Sequence, residues 1–136
     1  MIAALVAIVS CQAPKPMAIV AINQEVLDLF NHLLHDLYFT IPAAGFRPSE
    51  GSLSIDFIDK DFCIHQDRIA KYRLGIQSVL EVETEGSLES LPGTEVELNE
   101  IQFHKNHEKK VTLECVHPFR LISKVRELRL SLDQLQ

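Results

Sequence analysis

The side chains best suited to chemistry stand in a stretch with helical spacing. Asp28, His32 and His35 occupy positions i, i+4 and i+7, which would place them along one stripe of a helix. Two imidazoles and a carboxylate can bind zinc or another divalent ion and leave one position open for water. One interpretation is therefore a metal-binding protein or a metal-dependent hydrolase, with His65 as a fourth ligand. The competing interpretation is a solvated polar helix face.

The other reactive residue types give no second candidate. The three cysteines stand at positions 11, 63 and 115, and no Cys-x-x-Cys pair is present. Gly86 and Gly93 are isolated and are not followed by Lys-Ser or Lys-Thr, so the sequence contains no phosphate-binding loop. We expect no cofactor and no assembled catalytic set, which favours a protein that is not an enzyme.

Charge is unevenly distributed along this chain of 136 residues, whose net charge is −6. Every ionisable side chain between residues 81 and 100 is acidic, whereas cations predominate from Lys105 to Arg129. One interpretation is that acidic and basic strands lie side by side and neutralise each other. The other is an acidic patch that docks a charged protein partner. For that patch the candidate residues are Glu81, Glu83, Glu85, Glu89, Glu95 and Glu97.

The same composition argues against two classes of partner. General nucleic-acid binding requires a basic footprint, and the balance here is acidic. A bilayer-spanning helix requires about 20 consecutive apolar residues, and the sequence has no such run. We therefore expect no nucleic-acid partner and no transmembrane span. The oligomeric state is left open.

Alternating apolar and polar residues predict the fold. The pattern is clearest near the C-terminus, where the apolar positions are Ile101 and Phe103, then Val111, Leu113 and Cys115, then Leu128, Leu130 and Leu132. Period-2 alternation marks strands with one buried and one wet face, so Thr112 is predicted to face solvent. Leu74 to Val82 reads as one longer strand, and residues 52–65 read as a hairpin. Together these runs predict an antiparallel meander.

A single helix completes the predicted architecture. Asn23 is a favourable N-cap, and the apolar residues that follow it have helical spacing over residues 24–36. The order of elements, a helix followed by strands without βαβ alternation, predicts the α+β class. We expect an antiparallel sheet of about six strands with this amphipathic helix packed on one face.

The first residues suggest two possible locations for the protein. Residues 1–16 are an apolar run followed by a proline-containing segment, and residues 17–136 read as one domain. The segment from Ile8 to Cys11 resembles a bacterial lipobox, which would imply lipid anchoring through Cys11. No Lys or Arg precedes the apolar run, so a cytoplasmic protein is the favoured interpretation.

Two short motifs carry a resemblance to a group of proteins. Leu34-His35-Asp36 stands before the first predicted strand of the sheet, and the stretch from Leu98 leads into the C-terminal β-meander. Between Leu34 and Leu132 the chain resembles small uncharacterised bacterial α+β domains, including immunity proteins of contact-dependent toxin systems. The resemblance implies binding of a macromolecule rather than catalysis. The sequence therefore predicts a non-enzymatic binding domain of the immunity or accessory type.

Overall fold

The computed structural model describes residues 18–59, 71–86, 92–116 and 118–135. The elements in chain order are β1 (Ala18–Ala21), α1 (Gln24–Leu34), β2 (Tyr38–Thr40), β3 (Leu53–Ile58), β4 (Lys71–Ile76), β5 (Val79–Gly86), β6 (Glu95–Lys105), β7 (Lys109–Cys115), β8 (Phe119–Val125) and β9 (Leu130–Leu135). All these strands join in one antiparallel sheet with the order β1-β9-β4-β3-β2-β6-β7-β8-β5.

The predicted fold class, α+β with about six strands and a main helix, is wrong. The described chain is mostly sheet, with nine antiparallel strands and one helix of 11 residues. Part of the difference comes from the run between Leu74 and Val82, which forms two strands instead of one. Ser78 has a positive φ of 56°, and the chain reverses at this point between β4 and β5. The apolar residues on both sides of the polar Gln77-Ser78 pair gave the appearance of one continuous strand.

The short β4–β5 connection shows that the sheet curls. Residues 77–78 join two strands that have five other strands between them in the sheet order. A link of that length reaches only if the two halves of the sheet fold toward each other. Across the interior, the ring centroids of Phe39 on β2 and Phe119 on β8 are 6.4 Å apart. The enclosed space is filled by one cluster of buried apolar side chains, which includes Phe57, Leu74 and Leu113.

The helix covers part of the sheet instead of lying across one whole face. Its buried side chains are Leu27, Phe30 and Leu34, which are fully enclosed in the core. The Asn31 side-chain amide donates to the Ile101 carbonyl (2.9 Å), and its oxygen accepts from the Ile101 amide (2.6 Å). Asn31 therefore pairs with the β6 backbone as a neighbouring strand residue would. The sequence contained no signal for this contact, because Asn31 reads as an ordinary polar helix position.

The helix also ends earlier than predicted. It begins after the N-cap Asn23, whose side chain accepts from the Val26 amide at 3.0 Å, and it ends at Leu34. His35 has a ψ of 133°, and Asp36 has a φ of 69°, so neither residue is helical. The chain turns at this point to enter β2. The described helix is neither long nor apolar enough to cross a bilayer.

Some residues on the outer face of the sheet are buried instead of exposed to solvent. Thr112 was predicted to face solvent, but only 4% of it is exposed. It is directly opposite Ile122, which is also buried on the outer face. Strict alternation of buried and exposed residues therefore fails in the middle of β7 and β8, and the prediction for Thr112 is wrong. Residues 1–17, which include Cys11 and the predicted extension, lie outside the described residues. The hairpin predicted over residues 52–65 also lies outside them from residue 60 onward.

Candidate functional site

The most distinctive surface of the molecule is strand β5 at one end of the sheet. This strand of eight residues pairs with β8, and no other described strand pairs with it. Its side chains alternate, so Glu81, Glu83 and Glu85 project from the outer face. We call β5 with these glutamates and the exposed Leu80 the acidic edge. An edge strand is a natural template for an additional strand.

The neighbouring strand neutralises the two ends of the acidic edge. Lys124 lies 3.6 Å from Glu81, and Arg120 lies 3.1 Å from Glu85. The interpretation in which acidic and basic strands lie side by side is thus confirmed for β5 and β8. These pairs are solvent exposed, so each contributes little to stability.

Both cations are shared with a second carboxylate. Arg120 also contacts Glu114 on β7 at 2.7 Å, and the hydrogen bond and charge of Glu114 raise the pKa of Arg120, with a smaller contribution from Glu85. Lys124 contacts Glu108 at 3.3 Å, and Glu108, followed by Glu81, raises the pKa of Lys124. Each cation therefore has two anionic neighbours, and the outer face near β5 keeps an excess of negative charge.

Of the three glutamates on the acidic edge, Glu83 is the one that forms no ion pair with any described residue. Its position on β5 is opposite Ile122, not opposite a lysine or arginine. Within the described residues no cationic group pairs with its carboxylate, because the neighbouring Lys124 and Arg120 pair with other glutamates. Glu83 therefore presents an uncompensated negative charge at the centre of the acidic edge.

A β-bulge exposes a leucine next to these glutamates. The register between β5 and β8 shifts between Val79 and Glu81, which makes Leu80 the extra residue. Leu80 is 59% exposed, which is high for a leucine within a strand. Bulges at sheet edges often redirect a side chain. The apolar spacing predicts that Leu80 belongs to one long strand from Leu74 to Val82, and the polar Gln77-Ser78 pair is the sequence signal that marks the turn instead.

The remaining predicted acidic residues lie elsewhere or outside the described chain. Glu95 and Glu97 are on β6, which β7 and β8 separate from β5. Glu97 accepts a hydrogen bond from the Tyr38 hydroxyl at 3.2 Å, and Glu95 is opposite Thr40 on β2. Glu89 is outside the described residues. The six glutamates therefore do not form one patch among the residues described, and only those on β5 share an edge.

Among the described residues, Asp28, His32 and His35 are not gathered into a metal site. Asp28 accepts from the Gln24 side chain at 2.8 Å on the exposed helix face. His35 leaves the helix; its Nδ1 donates to the Asn99 carbonyl at 3.1 Å, and its Nε2 lies 3.3 Å from Asp36. This ring is turned toward the β6 backbone and not along the stripe with Asp28 and His32. In the part of the chain that the structure describes, no group of three His, Cys, Asp or Glu residues could hold a metal. His65 is outside that part.

Cys115 does not have the properties of a reactive thiol. It is at the end of β7, packs against the core, and its Sγ is 3.9 Å from the Leu113 carbonyl. Burial, together with the charge of Glu114, raises the pKa of the Cys115 thiol to about 12. A nucleophilic cysteine has a lowered pKa, so this environment acts in the opposite direction. Cys11 and Cys63 fall outside the described residues.

Comparisons with protein-family models, with curated proteins and with solved structures found no match to the chain.

Proposed function

We propose that this protein is a non-enzymatic binding domain, of the immunity or accessory type, that uses the acidic edge to hold a basic segment of another protein. The observation that carries the proposal is the combination found on β5. This edge strand has an uncompensated Glu83 at its centre and an exposed Leu80 beside it. Backbone groups at the edge, a negative charge and an apolar side chain are three separate means of recognition in one place.

The geometry suits a partner that adds an extended strand. In β-strand addition, hydrogen bonds between main chains provide affinity, and alternate side chains provide specificity. A lysine or arginine on the added strand could approach Glu83, and an apolar side chain could cover Leu80. Both contacts are at the end of the sheet that is farthest in strand order from β1.

The charges disfavour a second copy of this chain as the partner. Two β5 strands paired with each other would bring their outward glutamates together, and like charges across strands are destabilising. The bulge at Leu80 also interrupts the regular edge that self-pairing requires. The same features are compatible with a basic partner, whose association rate the acidic surface would increase.

The proposal can be tested by site-specific photocrosslinking in the cells that make the protein. One variant carries a photoreactive residue at Leu80 and another carries it at Ser54, an exposed outer-face position on β3. We expect a single crosslinked partner in about equal molar amount from position 80 only, with the crosslink mapped to a basic extended segment. Glu83→Lys, introduced together with the crosslinker at 80, should abolish it, whereas Glu100→Lys on β6 should not.

The proposal is wrong if both positions capture the same proteins, because that pattern indicates nonspecific contact. It is equally wrong if the crosslink at position 80 persists at full yield in the Glu83→Lys variant. Unchanged thermal unfolding of Glu83→Lys would exclude misfolding as the reason for a lost crosslink.

A further inference from the structure

A second surface, which shares no residue with the acidic edge, has the opposite charge. An open hollow of about 630 Å³ lies where the β1–α1 connection, the β6–β7 hairpin and the β8–β9 connection meet. Three cations border it: Lys105, Lys109 and Arg129. Glu127 is the one carboxylate among the described lining residues. With three cations and one carboxylate, this hollow has a local excess of positive charge, although the net charge of the chain is −6.

The two lysines form a like-charge pair across the hairpin. Lys105 at the end of β6 is directly opposite Lys109 at the start of β7. Like charges in this arrangement are destabilising. Within the described residues, no carboxylate lies within ion-pair distance of Lys105, Lys109 or the Arg129 guanidinium.

In a neighbouring lysine pair, a carboxylate of the same chain offsets the repulsion. Lys110 on β7 is directly opposite Lys124 on β8. There, the Glu108 carboxylate lies between them, 3.9 Å from Lys110 and 3.3 Å from Lys124. The pair at Lys105 and Lys109 has no such internal anion, so an anion from outside can take the corresponding role.

The base of the hollow is apolar. Phe103 and Leu128 are half-buried and belong to the margin of the core, and Ile22 is 59% exposed at its rim. A volume of this size is within the range of small-molecule sites, which combine apolar walls with a few polar groups. Phosphate and carboxylate groups are the anions that lysine and arginine bind best, and a guanidinium can bind a phosphate through two hydrogen bonds.

We propose that this hollow binds an organic phosphate. The phosphate group lies between Lys105, Lys109 and Arg129, and the apolar or aromatic part of the molecule covers Phe103 and Leu128. The site shares no residue with the acidic edge, so its existence is independent of the proposed protein partner. The phosphate could belong to a free metabolite-sized molecule or to a lipid headgroup, which present the same chemistry to the three cations.

Calorimetric titration with 1-naphthyl phosphate tests this proposal on the whole chain. We expect a dissociation constant below about 1 mM, and inorganic phosphate should bind at least about tenfold more weakly because it lacks the apolar part. Uncharged 1-naphthol should not bind. Vesicles of phosphatidylcholine with and without phosphatidic acid distinguish the sources: retention on the phosphatidic acid vesicles alone assigns the site to a lipid headgroup, and its absence assigns it to a free molecule.

Substitution of the cations that line the hollow tests whether the phosphate binds there. Arg129→Gln and Lys109→Gln should each weaken 1-naphthyl phosphate binding by about tenfold or more, which is the loss expected for one charged hydrogen bond. The matched control is Arg126→Gln, which removes an exposed cation from the same connection but outside the hollow. Lys109→Gln should also leave the thermal midpoint of the free protein unchanged or raise it, because it removes the repulsion with Lys105.

Three results would overturn the proposal. The first is no detectable heat or competition up to about 10 mM 1-naphthyl phosphate, which would mean affinity too weak for a built site. The second is an equal loss in Arg126→Gln, which would indicate attraction to the whole basic segment. The third is a lowered thermal midpoint in Lys109→Gln, which would show that the lysine stabilises the fold and is not strained by its neighbour.

Discussion

Thr112 on β7 lies directly opposite Ile122 on β8, on the outer face of the sheet, and the two residues are only 4% and 7% exposed. They are flanked on this face by Arg120 and Lys124, whose ion pairs with Glu114 and Glu108 extend toward β7. Long charged side chains can cover apolar surface with their stems. The ion pairs on this face therefore shield the Thr112–Ile122 pair from water.

This relationship predicts that a charge at position 112 is not tolerated. Thr112→Asp should lower the free energy of unfolding by about 1–3 kcal/mol, since it desolvates a carboxylate beside Ile122. Leu113→Asp, in the main core, should cost more, about 3–5 kcal/mol. Urea denaturation measures both. Ser54→Asp, at an exposed position of β3 on the outer face, is the control and should remain within about 0.5 kcal/mol of the parent. A Thr112→Asp protein as stable as this control would mean that the outer face is open to water.

At one buried hydroxyl we expect a substitution to raise the free energy of unfolding instead of lowering it. Ser123 on β8 is fully buried, and its Oγ has no hydrogen-bond partner among the described residues. Ser123→Ala removes a desolvated polar group and should raise the free energy of unfolding by about 1 kcal/mol. The same substitution at Ser52 should lower it by about 1 kcal/mol, because the Ser52 hydroxyl donates to the Gln77 side chain at 2.7 Å. A loss of stability in Ser123→Ala would show that its hydroxyl is in fact satisfied.

The attachment of the helix to the sheet depends on Asn31. Asn31→Ala leaves the Ile101 amide and carbonyl without their partners and should cost about 2–3 kcal/mol in urea denaturation. His32→Ala, the adjacent exposed helix position, should change stability by less than about 0.5 kcal/mol. If the two variants were equally stable, the side-chain pairing between α1 and β6 would be of no energetic consequence.

The environment of Cys115 predicts a pH dependence. Its folded pKa is raised to about 12 from an ordinary value of 9.0, so the unfolded chain loses the thiol proton first as the pH rises. The stability contributed by this group is fully present below about pH 9 and is lost as the pH rises toward 12. Stability therefore falls across this window.

Thiol labelling measures the same shift directly. In a Cys11→Ser, Cys63→Ser variant, iodoacetamide should label Cys115 at pH 9 at least about 100-fold more slowly in the native protein than in urea. The reason is that the thiolate fraction falls tenfold for each unit by which the pKa exceeds the pH. Equal rates in the two states would mean that the thiol is solvated and has an ordinary pKa.

Local patterns predicted most of the individual elements but not their assembly. Alternation at Val111, Leu113 and Cys115 correctly indicated β7, and the Asn23 cap correctly indicated the start of α1. The separation of β4 from β5 was missed because the apolar spacing hardly changes across the turn at Ser78. The number of strands in the sheet could not be read from the sequence, because long-range pairing leaves no local pattern.

The candidate sites, like the fold, could be predicted from the sequence only where a local pattern of residues determines them. The glutamates of β5 and their neutralisation by a basic strand were foreseeable from the charge distribution. The exposure of Leu80 depends on a bulge, and the hollow at Lys105 and Arg129 depends on three connections meeting. The burial of Thr112 depends on side chains from neighbouring strands. None of these follows from the spacing of residues within one segment.

The most direct test of the binding function is hydrogen exchange of the β5 backbone in the complex with the crosslinked partner. Proteolytic peptides that cover residues 79–86 are compared between the free and the bound protein, and peptides that cover the opposite edge strand, residues 18–21, serve as the internal control. We expect amides of β5 to exchange at least about tenfold more slowly in the complex, because a partner strand occupies the edge, and amides of β1 to exchange at the same rate in both states. Unchanged exchange in β5, or equal slowing at both edges, would contradict the proposed binding function.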